Sequence, residues 1–164
     1  LRHSVDVVYV DFKKAFDSVV HSKLVYKLKA YGITGNLLTW IENFLYNRFQ
    51  AVKVGSHISQ FRQVISGVPE GSVLGPLLFL IYINDVVDVF GSNLTVKLFA
   101  YGVKIYVDIF DIASSSVLQM GHNALCDWAS RWQLNISINK CAVLHLGRNN
   151  LSQEYHIKSV CLPL

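Results

Sequence analysis

The run Val73-Leu74-Gly75-Pro76-Leu77-Leu78-Phe79-Leu80-Ile81-Tyr82-Ile83 limits the possible folds more than any other part of the chain. A bilayer span needs about 20 apolar residues, so this run is too short to cross one. Its apolar surface must instead be hidden by the rest of the chain. A helix that is apolar almost all round belongs at the centre of a fold. The remainder can supply that burial: 52% of residues are hydrophobic and 16% are charged. Such a balance supports a real core and argues against disorder. It is also more apolar than an ordinary soluble domain, as expected if part of the surface faces a missing neighbour. A length of 164 residues suits one domain.

The apolar periodicity assigns elements around this run. Residues 5–10 are β-rich and mostly apolar up to Asp11, and read as a buried strand. Over residues 13–31 the period lengthens. Phe16, Val19, Val20, Leu24, Leu28 and Tyr31 mark one helical face, which Gly32 stops. Residues 36–47 read as a second amphipathic helix with Leu37, Trp40, Ile41, Phe44 and Leu45 inward. Residues 50–54 and 58–65 read as strands around Gly55-Ser56. Ser72 can cap a helix over 73–88, with Pro76 tolerated in its first turn. Residues 95–100 and 103–109 read as strands joined by a tight turn at Tyr101-Gly102. A helix over 114–132 and a strand over 141–146, ended by Gly147, complete the pattern. Residues 155–157 read as the start of one more strand, with its partner beyond the given sequence. The fold class is α+β: an antiparallel sheet with helices packed on one face, in a split βαβ order.

The formal net charge is +4 and the pI about 9.0. This permits phosphate binding without demanding it. Cys126, Cys141 and Cys161 are odd in number and widely separated. That pattern points to reduced thiols in the cytoplasm or nucleus, with no disulfide frame and no zinc site. No signal peptide is visible, no membrane partner is expected, and a start at Leu1 reads as a cut from a longer reading frame.

Two segments carry chemistry. The first is Tyr9-Val10-Asp11-Phe12-Lys13-Lys14-Ala15-Phe16-Asp17. An aspartate at the end of a buried strand is costly unless it holds a cation at an open sheet end. Alternatively it caps a helix starting near Lys13, which is a common use of aspartate. The second is Ser66-Gly67-Val68-Pro69-Glu70-Gly71-Ser72-Val73-Leu74-Gly75-Pro76. Its glycines allow close backbone approach just before a helix start whose amides attract phosphate. An ordinary loop and cap would read the same way.

Together with Leu80-Ile81-Tyr82-Ile83-Asn84-Asp85, these segments resemble motifs A and B of non-LTR retrotransposon reverse transcriptases. The resemblance continues through Trp40-Ile41-Glu42-Asn43-Phe44-Leu45, Asn47-Arg48, Leu98-Phe99-Ala100, Trp132-Gln133-Leu134-Asn135 and Asn139-Lys140-Cys141. It covers residues 5–147 in the family's order.

The resemblance implies a right-handed polymerase palm over residues 1–147, with partial fingers elements around 32–65. Residues 148–164 would begin the thumb connection or form a disordered tail. Fingers and thumb would be largely missing. In the family, three carboxylates hold two Mg²⁺ ions that activate the primer hydroxyl and stabilise phosphoryl transfer. The partners there are an RNA template and a DNA primer. Asp11 falls on the motif A metal ligand. Phe16 falls on the aromatic gate against a ribose 2′-hydroxyl, although packing with Phe12 and Val20 would explain it equally. Pro69, Glu70 and Gly71 fall on the loop touching template and nucleotide. Lys140 falls on the motif D lysine, a proton donor to pyrophosphate, or is simply a solvated lysine before a strand.

The sequence departs from the family at one decisive place. Where the family has Phe-Ala-Asp-Asp, this chain has Phe99-Ala100-Tyr101-Gly102. Glycine offers no ligand, and a phenol with a pKa near ~10 is a poor one for Mg²⁺. Glu70 also stands where the family usually has glutamine. The expectation is a kept fold without productive Mg²⁺ binding or polymerisation, and with weak or no nucleic-acid binding. The competing expectation is a co-opted module that binds RNA or protein without catalysis, with an exposed aromatic such as Tyr106 available for stacking.

Overall fold

The computed structural model describes residues 4–157 and 159–164. In chain order the elements are β1 (Ser4–Asp11), α1 (His21–Ala30), α2 (Gly35–Leu45), β2 (Phe49–Gln50), β3 (Lys53–Val54), β4 (His57–Ile58), β5 (Arg62–Gln63) and α3 (Leu74–Ile83). A 3₁₀ stretch follows over Asn84–Val89. Then come β6 (Thr95–Phe99), β7 (Gly102–Ile109), α4 (Ile112–Trp132), a 3₁₀ turn at Ile138–Lys140, β8 (Ala142–Leu146), β9 (His156–Ile157) and β10 (Val160–Cys161). Packing divides them into two compact units: Leu1–Lys13 with Asn84–Leu164, and Lys14–Ile83. No helix among the described residues is long and apolar enough to cross a membrane.

In the first unit β1 is an inner strand of a four-stranded sheet ordered β6-β7-β1-β8, antiparallel at every step. An inner strand is hydrogen-bonded along both edges, and Val7, Val8 and Val10 of β1 are buried. Val8 and Val10 are buried on the α4 side. Just beyond β1, the Phe12 ring lies 6.2 Å from that of Trp128 on α4. The Trp128 indole N–H donates to Asp85 at 3.2 Å. Helix α4 starts two residues earlier than its periodicity suggests, because Asp111 caps it by accepting from the Ser114 amide at 2.8 Å.

Asp6 sits on the α4 face of β1 and is fully buried. Its carboxylate accepts from Tyr155 Oη at 2.5 Å, His145 Nδ1 at 2.6 Å and Asn150 Nδ2 at 2.7 Å. Burial, and then the bond to Asp6, hold the Tyr155 hydroxyl well above the usual phenol range. The His122 ring meets Tyr155 edge-on at 5.8 Å. Neither His122 nitrogen has a hydrogen-bond partner among the described residues. Burial pulls its pKa down to about 4, so the ring stays neutral. The segment after Arg148 is therefore tied to the sheet. Its strand, β9, pairs with β10 inside the chain rather than with a partner beyond it. At the other side of β8, the Val143 amide donates to the Pro163 carbonyl at 2.8 Å.

In the second unit three sequence expectations change. Residues 13–20 do not extend α1, which begins at His21. The Phe16 and Val19 carbonyls instead accept from the Val68 and Gly67 amides at 3.0 and 2.8 Å. Lys14 takes a left-handed φ of 48° there. Gly67 makes this approach possible: a Cβ on it would meet the Asp17 Cα at 2.9 Å.

Helix α2 buries Leu38, Ile41 and Leu45, leaving Leu37 and Trp40 more than half exposed. Ile41 and Leu45 are buried as expected, while Leu38 replaces Leu37 and Trp40 on the inner side. Helix α3 is shorter than 73–88. Leu78, Phe79, Tyr82 and Ile83 are buried, but Leu77 and Leu80 are about half exposed. Ser72 accepts from the Gly75 amide at 2.9 Å, as a cap should. The buried Lys27 of α1 donates to the Tyr82 carbonyl. The expected excursion over 50–65 is present as two short ladders, β2 with β5 and β3 with β4.

Candidate functional site

Side chains two residues apart on a strand share a face, and cross-strand partners share it too. On β1 this places Tyr9 and Asp11 together. Their partners on β7 are Lys104 and Gly102, and the β6 partners of those are Lys97 and Phe99. These residues line a cavity of about 350 Å³, to which Lys140 also contributes. The end of β1 thus brings Asp11, Gly102 and Lys140 to one place. The Lys104 ammonium stands 5.1 Å from the Tyr9 ring centroid, a cation–π contact.

Asp11 is not a helix cap, since no helix begins at Lys13. Its backbone carbonyl accepts from Ser137 at 2.7 Å. Its buried Oδ1 has no hydrogen-bond partner among the described residues. The Lys140 ammonium stands 3.8 Å from it, on a side chain that is 66% exposed. An ion pair this open to water contributes little stability. The backbone of Asp11 is held by the Ser137 bond, and its buried oxygen is left without a hydrogen bond among the described residues.

The hairpin between β6 and β7 turns one residue earlier than expected. Phe99 pairs with Gly102, so the turn consists of Ala100 and Tyr101. Ala100, with φ 50°, supplies the left-handed conformation. Gly102 is the first residue of β7 and lies directly opposite Asp11. Its lack of a side chain leaves the position facing that carboxylate empty of any ligand. Tyr101 lies in the turn and is 40% exposed. Asp108 pairs with Val5, six positions along from the Asp11–Gly102 pair. At ~3.3 Å per residue it is about 20 Å away and cannot replace the missing acid.

The other candidate residues belong to the second unit. Phe16 is half-buried, with its ring 4.8 Å from that of Phe79. Pro69 and Glu70 line a cavity of about 240 Å³ with Asp17, Arg48 and Gly67. Gly71 is exposed at φ 76°. Arg48 donates to the carbonyls of Leu45 and Gly67, both at 2.9 Å. His21 Nε2 donates to the same Gly67 carbonyl at 2.8 Å. Burial lowers the proton affinity of His21, with the Gly67 bond opposing it and the nearby Arg48 charge adding to it. Arg48 and His21 together fix the loop from the inside.

Lys97 and Lys104 were not singled out by sequence. Each looks like a solvated lysine on a strand until the register is known. The alternation Gly102, Lys104 on β7 against Tyr9, Asp11 on β1 is the signal that could have found them.

Residues 2–159 match a sequence model of the family described as Reverse transcriptase (RNA-dependent DNA polymerase). The chain is 31% identical over 141 residues to the RNA-directed DNA polymerase from mobile element jockey of Drosophila melanogaster. That alignment covers 82% of this chain and 15% of the relative. It is likewise 31% identical over 138 residues to the probable RNA-directed DNA polymerase from transposon X-element of the same fly, covering 81% and 15%. The chain therefore spans about 15% of the length of these relatives. In fold it is similar to apo telomerase from Candida tropicalis truncated from its C-terminal domain. The TM-score is 0.67 at 9% identity, over 93% of this chain and 32% of that one. Telomerase from Candida albicans, solved with a TWJ fragment of telomeric RNA, also gives 0.67, at 11% identity over 93% and 29%.

Proposed function

The chain belongs to the reverse transcriptase (RNA-dependent DNA polymerase) family, and we propose that this stretch of it is a polymerase palm that no longer assembles the catalytic metal pair. The supporting observation is the register: Gly102 stands opposite Asp11, where a second carboxylate would be needed. Two Mg²⁺ ions require several charged oxygen ligands. Here one carboxylate faces a bare backbone, and Lys140 already places an ammonium 3.8 Å from it. The residues present do not fit the ion pair, so no phosphoryl transfer is assigned to them.

In this reading Asp11 is the surviving metal ligand of the family, and Tyr101 and Gly102 mark the lost pair. Lys140 keeps the position of the pyrophosphate proton donor. Phe16 keeps the position of the nucleotide gate, and Pro69, Glu70 and Gly71 that of the template and nucleotide loop. Glu70 presents an acceptor-only carboxylate there, which disfavours a phosphate path. Residues 1–147 correspond to the palm with partial fingers around 32–65, and 148–164 to the start of the thumb connection. The decisive experiment is primer extension on an RNA template with dNTPs and Mg²⁺. No incorporation is expected. Incorporation that disappears with Asp11→Ala would overturn the proposal.

A second reading has its own support. The face that holds Asp11 carries Lys97, Lys104 and Lys140 around a cavity, with Tyr9 and an 88% exposed Phe99 beside them. Three ammonium groups against one carboxylate, with aromatic rings for stacking, suit a single RNA strand held without catalysis. Such binding would weaken steeply with salt. A salt titration on the same preparation separates the two readings.

A further inference from the structure

We propose that Glu154, His156 and Cys161 form a binding site for a thiophilic divalent cation, with Zn²⁺ the best fit. The three side chains come from the β9–β10 hairpin and the residues just before it, and none belongs to the cavity at the end of β1. Their ligand atoms all lie within 4.8 Å of one another.

The placement follows from strand alternation. Tyr155, Ile157 and Leu162 are buried, so Glu154 and His156 point together to the opposite face. Cys161 is the cross-strand partner of His156. The Leu162 amide donates to the Tyr155 carbonyl at 2.8 Å, which holds the two strands together just beyond that pair. Directly opposed residues bring their Cβ atoms to about 5 Å, near enough for a thiolate and an imidazole to share one ion. Glu154 is exposed, His156 half-buried and Cys161 exposed, so an ion can reach all three.

The backbone of this site is held by a second device. Gln119 on α4 donates from Nε2 to the His156 carbonyl at 2.8 Å. It also accepts from the His156 amide through Oε1 at 2.8 Å. One side-chain amide thus satisfies both backbone groups of the ligand residue and fixes its direction. The Cys161 thiol makes only a long contact, 3.6 Å to the Leu162 carbonyl, which a metal–thiolate bond would replace.

Ligand atoms around a tetrahedral Zn²⁺ stand roughly 3.5 Å apart, so modest side-chain rotation closes the observed set. A thiolate, an imidazole and a carboxylate favour Zn²⁺ over Mg²⁺. Three protein ligands leave a fourth position for water or another group. Cysteine spacing could not suggest this site, because only one cysteine takes part.

The test is a Co²⁺ titration of the whole reduced chain, followed by displacement with Zn²⁺. The expected result is a near-ultraviolet thiolate-to-cobalt band with intense tetrahedral d–d bands. Zn²⁺ should abolish them, and excess Mg²⁺ should not. Cys161→Ser and His156→Ala should each remove the spectrum, whereas Cys126→Ser should keep it. Glu154→Gln, at an exposed position that the fold does not need, should weaken Zn²⁺ binding by about tenfold or more. Absence of the thiolate band would overturn the site. So would a spectrum that survives Cys161→Ser, that is lost with Cys126→Ser, or a Zn²⁺ affinity unchanged in Glu154→Gln.

Discussion

Asp6 and Asp11 lie on the same strand, one near each end of β1, in opposite surroundings. Asp6 is fully buried and accepts from Tyr155, His145 and Asn150. Asp11 is 21% exposed, with one buried oxygen that no donor reaches among the described residues. A buried carboxylate is tolerable when charge-assisted hydrogen bonds replace its water. By that measure the Asp6 end is built for stability. The Asp11 end is not supplied in that way.

Asp6→Ala should have the largest effect, because it removes the acceptor that the buried Tyr155 hydroxyl, His145 and Asn150 share. A loss of about 3–5 kcal/mol is expected in urea denaturation. A loss under about 1 kcal/mol would mean that the network is not what holds the C-terminal segment to the sheet.

Acid should attack the same end next. Native His122 has its pKa lowered from 6.5 to about 4, so between those values the unfolded chain binds a proton that the native chain does not. Stability is therefore fully present above pH 6.5 and falls as pH drops toward 4, by up to about 3 kcal/mol. Thermal melts from pH 7 to pH 4 would measure this slope, and His122→Phe should flatten it. An equal slope in that variant would place the acid sensitivity elsewhere.

Asp11→Ala should have the smallest effect, within about 0.5 kcal/mol of the parent in the same urea titration. It removes an oxygen without partners and an exposed ion pair. A cost near that of Asp6→Ala would end the contrast between the two aspartates.

The strands of the main sheet were legible because alternation and β-branched residues mark them locally, and Asp11 was legible because it closes one of them. The residues that distinguish the two ends were not. Tyr155 and Asn150 reach Asp6 across more than 140 positions, and no local pattern announces such a meeting. Residues 13–20 have helical periodicity, yet the Gly67 loop claims their carbonyls, a tertiary preference over a local one. In α2, Ile41 and Leu45 are buried as the period expects, whereas Leu38 takes the place of Leu37 because both fit the period almost equally well. The β6–β7 turn was assigned to Gly102 because glycine favours positive φ, whereas the pairing of Phe99 with Gly102 puts that strain on Ala100.

The bond from Val143 to the Pro163 carbonyl has a consequence for how this protein meets copies of itself. Outermost strands carry unpaired backbone groups and invite another chain to zip on. Beside β8 one such group is already taken, because the Val143 amide donates to the Pro163 carbonyl of the same chain. At the opposite rim, β6 has Lys97 at its midpoint, a charge that discourages stacking of like upon like. Each rim of the sheet thus carries its own guard against fibril-like growth.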